Sequence, residues 1–149
     1  MLMDHKSICE LLPHAGAMCL LDSVINLDDS NITCSAISHT DRDNPLRENN
    51  QLSAINAVEY GAQAMAVHSR ILAREQGVEP EHGHGYVVAL NSIKLHVQRL
   101  DTLAMPLLIK AQRLLGENNN FIYQFSITGD NIPAVEGRIT VITEKDAKE

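Results

Sequence analysis

Apolar and polar positions change rhythm several times along the chain. Ile8-Cys9-Glu10-Leu11-Leu12 is a short apolar turn ended by Pro13 and predicts a helix of one or two turns. Met18 to Leu27 is mostly apolar and strand-like, and Ile32 to Ser38 alternates. Asp28-Asp29-Ser30-Asn31 between them has turn composition, so the two runs predict a hairpin. His39 to Gln51 carries Asp, Asn and Pro without a helical period and predicts a long loop, a kind of segment that in a compact domain usually has a function.

Leu52 to Gln76 predicts the one long helix, with apolar residues at Leu52, Ile55, Val58, Ala62, Met65, Ala66 and Leu72, ending at Gly77 before Pro80. Its first half, Leu52 to Val67, has almost no charge on any face, which is the pattern of a buried helix. Strands follow at Gly85 to Val97, Ala104 to Leu115, Asn120 to Gly129 and Ala134 to Thr143. The segments 116–119 and 128–131 have hairpin-turn composition, and Glu144 to Glu149 is a charged tail expected to fray. One buried helix and an antiparallel sheet that must curl around it give an α+β chain of the hotdog type, a single domain over residues 1–149. One sheet and one helix leave a side poorly covered, so dimerisation is expected.

Composition narrows the function. The chain has 12 basic against 19 acidic residues, a formal charge of −7, and its aromatic residues are three Tyr and two Phe with no Trp. It lacks both the basic footprint and the stacking platform of a nucleic-acid binder, and that class is set aside. No run of residues is long and apolar enough for a membrane span. Cys9, Cys19 and Cys34 are odd in number and form no C-x-x-C pair, so reduced thiols and a cytoplasmic location are expected.

The most telling residue is Glu59, inside the apolar run Ile55-Asn56-Ala57-Val58-Glu59-Tyr60-Gly61-Ala62-Gln63-Ala64-Met65-Ala66. A buried carboxylate either finds a partner or is pushed toward its neutral form. Asn56 and Gln63 lie on the same helix face, and Gln63 can donate a hydrogen bond to it. A carboxyl tuned by burial suits general acid–base catalysis, although a glutamate capped at a subunit interface gives the same pattern.

Glu59-Tyr60-Gly61-Ala62-Gln63 resembles the Glu-Ala-x-Ala-Gln helix of the hotdog 3-hydroxyacyl-[acyl-carrier-protein] dehydratases. Leu11-Leu12-Pro13-His14 running into Asp22-Ser23-Val24 is similar to the same family's opening. Pro13-His14-Ala15-Gly16-Ala17-Met18 and Glu59 to Ala64 resemble more closely the dehydratase-like proteins of bacterial aryl polyene gene clusters, as does Gly85-Tyr86-Val87-Val88-Ala89-Leu90 followed by Ile93-Lys94-Leu95. The resemblance spans about Ser7 to Leu95. It implies dehydration of a 3-hydroxyacyl thioester, in which a His removes the C2 proton and an acid on the helix of the other subunit protonates the leaving hydroxyl. Glu59 carries over to the acid. Where the fatty acid branch has Gly-His-Phe-Pro, this chain has Asp43-Asn44-Pro45-Leu46, and no His lies between His39 and Glu59. Asn44 is the favoured replacement, with His39 and His14 as alternatives. Gln63, Asn56 and Gly61 are assigned to substrate binding, though Gly61 also fits close packing.

The resemblance implies an acyl carrier protein as partner, which is itself acidic, so a −7 chain must cluster its cations. Arg42 and Arg47 on the loop, and Arg70 and Arg74 four apart on the helix, are the docking residues expected. The subunit pairs with a second copy or with a homologous dehydratase. His82-Gly83-His84 with Glu79 and Glu81 lacks the spacing of a metal site, and no metal or cofactor is expected. A subunit that lacks its base and supports an active homologue, and an acyl thioesterase of the same fold, are the competing functions.

Overall fold

The computed structural model describes residues 1–12, 18–77, 85–117 and 119–143. His14, the Glu79–His84 group and the tail Glu144–Glu149 lie outside the described residues. Helix α1 (His5–Leu11) leads to strands β1 (Ser23–Leu27) and β2 (Asn31–Ala36), then helix α2 (Ala57–Glu75). Strands β3 (Gly85–Leu95), β4 (Leu107–Glu117), β5 (Asn120–Gly129) and β6 (Ile132–Thr143) follow. The six strands form one antiparallel sheet in the order β1-β2-β4-β5-β6-β3, curved about α2 as the hotdog arrangement requires.

Helix α2 lies across β2, β4 and β5. Ala57, Tyr60, Gly61, Ala64, Met65, Val67, His68 and Leu72 are buried, a stripe at helical spacing that meets Ile109, Tyr123, Phe125 and Ile127 of the sheet. Gly61 permits the close approach: a Cβ there would stand 2.8 Å from the Phe125 ring. Burial all round, expected from the uncharged sequence, holds for one face only. Ile55 is 49% exposed, and Val58, Glu59, Ala62 and Ala66 are half-buried on the face turned from the sheet.

Several boundaries differ from the sequence reading. The chain becomes helical at Ala54, in a 3-10 turn Ala54–Asn56 that runs into α2, because Leu52–Ala54 runs beside the segment after β3: Leu100 N–H donates to Leu52 O, Ala54 N–H to Gln98 O and Leu52 N–H to Asp101 Oδ1. β1 begins at Ser23, not Met18, because residues 18–20 bond to a helix side chain rather than to a ladder. β4 begins at Leu107 and runs on to Glu117.

The cysteines also differ from expectation. Cys9 of α1 and Cys19 ahead of β1 are joined in a disulfide with Cα atoms 5.7 Å apart, and Cys34 alone is free, buried in β2. Nothing in their spacing marks the pair, which forms because α1 packs beside the approach to β1.

The sheet's two edges are unlike. Outside β1, Leu2 N–H donates to Val24 O and Val24 N–H to Met3 O, so the N-terminal residues cover part of that edge. Among the described residues no strand lies outside β3, and its Val87, Val88, Leu90 and Leu95 are 44–53% exposed.

Candidate functional site

Glu59 stands in the first turn of α2, half-buried on the face turned from the sheet. Gln63, one turn on, donates from Nε2 to Glu59 Oε1 at 3.2 Å, the contact their spacing predicts. The same amide reaches across to the N-terminal segment. Its Oε1 accepts from Leu20 N–H at 2.9 Å, and Nε2 donates to Met18 O at 2.6 Å. A buried amide whose oxygen and nitrogen are both engaged is fixed in one orientation. Gln63 thus clamps residues 18–20 to α2 and holds the Glu59 carboxyl at the same time. Asn56 is turned to its own backbone, donating to Ser53 O at 3.2 Å.

Asn44 is buried in the loop before α2 and plays a local part. Its Oδ1 accepts from Leu46 N–H at 2.9 Å, closing an Asx turn, while Nδ2 donates to Ser38 O and to the Tyr60 hydroxyl. A carboxamide is no base at neutral pH, so Asn44 cannot remove a C2 proton. The Tyr60 hydroxyl also meets Ser38 Oγ at 2.9 Å, and Ser38 donates to Leu20 O. This Asn44–Tyr60–Ser38–Leu20 chain escaped sequence reasoning. Its only sequence sign is that Tyr60 follows Glu59 in the helix motif.

His39 is buried, with Nε2 donating to Leu103 O at 3.0 Å, and burial pushes its pKa down. Each other described histidine is also engaged: His5 with Leu21 O, His68 with Tyr123 and Asp28 O, and His96 4.0 Å from Glu136. His68 lies opposite Glu59 around α2, as 100° per residue predicts.

Asn44 lines a cleft of about 500 Å³ with His5, Cys19, Ser38, Asp41 and Pro45. Asn56 lines another, of about 590 Å³, with Ile55, Gln98 and Arg99. Glu59 lines neither. The structure brings Glu59 and Gln63 together, and Asn44 and Asn56 line two separate clefts. Gly61 faces Phe125 in the core, where it serves close packing.

The four arginines divide. Arg70, expected at the surface from its spacing with Arg74, instead turns inward and donates to Leu11 O at the end of α1, where helical carbonyls lack partners. Burial lowers its pKa. Arg47 donates to Asn50 O and His39 O and so holds its own loop. Arg42 and Arg74 are exposed.

Among the described residues no helix is long and apolar enough to cross a membrane. In fold, the chain is similar to the dehydratase heterocomplex ApeI:P from Xenorhabdus doucetiae, at 23% identity and a TM-score of 0.83, covering 95% of this chain and 93% of that one. It is similar also to a mutant thioesterase from Pseudomonas aeruginosa, at 13% identity and a TM-score of 0.63, covering 95% of each chain. A hypothetical thioesterase protein with coenzyme A from Streptococcus pneumoniae matches at 12% identity and a TM-score of 0.58, over 83% of this chain and 86% of that one. No curated protein sequence matches the chain significantly. The sequence profile of the ApeP-like family, described as ApeP dehydratase, matches residues 6–149, nearly the whole length, and the chain belongs to that family.

Proposed function

We propose that this chain is one half of a cytoplasmic two-subunit hydro-lyase that removes water from a 3-hydroxyacyl thioester carried on acyl carrier protein, in aryl polyene-type or fatty acid synthesis. Glu59 is the proton donor. The single observation that carries the reading is the Gln63 clamp, which holds a carboxyl in place on a helix face that the described residues leave half-exposed. In the reaction a base takes the C2 proton, the C3–O bond breaks, and protonated Glu59 gives its proton to the departing hydroxyl, leaving water and the enoyl thioester.

We place the base on the partner: among the described residues of this chain, Asn44 has no basic nitrogen, and His5, His39 and His68 each hold a backbone carbonyl. Support for a partner as such comes from the uncovered β3 edge with its exposed Val87, Val88, Leu90 and Leu95. A homologous dehydratase that keeps the Gly-His-Phe-Pro histidine would supply that base. Of the four arginines expected to dock, Arg42 and Arg74 are exposed, and they meet the acidic carrier.

The test mixes the chain, a homologous dehydratase and a 3-hydroxyacyl-carrier protein, and follows loss of water by mass spectrometry. The pair is expected to turn over and this chain alone is not, while Glu59→Gln in the pair abolishes the reaction. Undiminished turnover with Glu59→Gln removes the acid role. Release of free acid in place of enoyl thioester identifies an acyl thioesterase instead.

A further inference from the structure

Outside the Glu59 region, one imidazole and two sulfurs converge at one point. His5, Cys9 and Cys19 bring their ring nitrogens and sulfurs within 4.8 Å of one another. His5 and Cys9 are one turn apart on α1, and Nε2 of His5 stands 3.4 Å from Cys9 Sγ. The other ring nitrogen, Nδ1, donates to Leu21 O at 2.7 Å. That bond sets the neutral tautomer, with Nε2 unprotonated, and Cys9 Sγ lies alongside the ring, 3.8 Å from Nδ1 and 3.4 Å from Nε2. Cys9 and Cys19 are only half-buried, and Cys19 and His5 both line the 500 Å³ cleft.

We infer that Cys9 and Cys19, with His5, form a thiol–disulfide exchange site open to an external dithiol through the cleft, and that its redox state sets how firmly residues 18–21 are held to α2. The two-electron step balances as follows. A thiolate of the reductant attacks Cys19 Sγ from the cleft, the Cys9–Cys19 bond breaks, and Cys9 leaves as a thiolate beside His5. The second thiol of the reductant then displaces Cys19, closing its own disulfide. The protein ends with two thiols, having taken up two electrons and two protons from the dithiol. In the reverse direction His5 Nε2 accepts the Cys9 thiol proton and makes the attacking thiolate.

One further observation ties the pair to the Glu59 region. The residues flanking Cys19 are those that support it. Met18 O and Leu20 N–H are held by Gln63, Leu20 O accepts from Ser38, and Leu21 O accepts from His5. The coupling to activity rests on the dehydratase reading, whereas the exchange itself does not.

The full-length chain is equilibrated in oxidised or reduced dithiothreitol and trapped with N-ethylmaleimide, and its modified cysteines are read by peptide mass spectrometry. Cys9 and Cys19 are expected to be blocked in the oxidised sample and modified together in the reduced one. Modification of both without reductant overturns the pairing, and resistance to reduction in the folded protein overturns the exchange. His5→Asn is expected to slow modification of reduced Cys9 several-fold near neutral pH, and an unchanged rate removes His5 from the site. Reduced protein that retains zinc and no longer reoxidises would be a metal site instead, overturning the proposal. Hydrogen exchange at the Leu20 amide is expected to quicken several-fold on reduction, and equal protection in both forms overturns the link to α2. Turnover of the assembled pair is read separately. No turnover in either redox form counts against the dehydratase reading and leaves the exchange result standing.

Discussion

Gln63 Nε2 lies 3.2 Å from Glu59 Oε1 and 2.6 Å from the carbonyl of Met18, so a single amide joins the candidate acid to a segment more than forty residues away in sequence. Removing that amide has two consequences that can be separated. Gln63→Leu leaves Leu20 N–H without its buried acceptor and is expected to cost about 2–3 kcal/mol, seen as a lower urea midpoint at unchanged slope. Gln63→Glu keeps an acceptor for Leu20 and sets a second carboxyl beside Glu59. It should therefore retain more stability than Gln63→Leu while reducing turnover of the assembled pair.

Gly61→Ala is a packing test. Its added methyl would meet the Phe125 ring at 2.8 Å, and both residues are buried. A loss of about 1–3 kcal/mol is expected by thermal or urea unfolding. Phe125→Leu, made in the same background, is expected to recover part of it.

Tyr60→Phe removes the hydroxyl shared by Asn44 and Ser38 and is expected to cost about 1–2 kcal/mol. Because Asn44 loses the same contact, Asn44→Ala should add less in the Tyr60→Phe background than alone, a coupling that a double-mutant cycle measures.

Arg70 and Arg74 should separate stability from docking. Arg70→Ala strips the end of α1 of its donor at Leu11 O and is expected to cost about 1–2 kcal/mol. Arg74→Ala should leave the unfolding midpoint unchanged and weaken carrier-protein binding, measured by titration at low salt, where exposed charges act most strongly.

Stability should fall on the acid side in two stages. Burial holds the pKa values of His39 and His68 below the usual 6.5, so the unfolded chain binds protons first. Their contribution is complete above about pH 7 and is lost as pH falls below 6.5 through the lowered values. Asp101 behaves alike further down. The Arg99 guanidinium and the Leu52 amide hold it at about 2, so its contribution persists above 3.8 and fades as pH falls through about 2. Urea midpoints between pH 8 and 5 should show the first stage, and His68→Gln should flatten it.

Periodicity is read well where one face alone decides the structure. The spacing of apolar residues marks α2, the Asp28–Asn31 cluster marks the β1–β2 turn, and the i, i+4 pair Glu59–Gln63 is legible as a contact. What stayed hidden depends on distant chain. The run Met18–Asp22 is as apolar as a strand, yet Gln63 claims its backbone groups. The helix spacing of Arg70 and Arg74 says that they share a side, not that α1 ends beneath one of them. The Cys9–Cys19 bond follows from where α1 docks, which no local motif records. Asn44 could be recognised as a substitution, whereas its work in bracing Tyr60 needed the loop's path.

The β3 edge finally poses a problem of supply. Among the described residues no strand lies beside the outer side of β3, eleven residues long with exposed valines, and such an edge is a template for another chain's strand, including a second β3 in the wrong register. On this reading, copies made in excess of a covering partner are prone to associate through that edge. A cell, or an expression host, would then need to make this chain in step with whatever covers β3, and matched dosage becomes a condition of solubility as much as of activity.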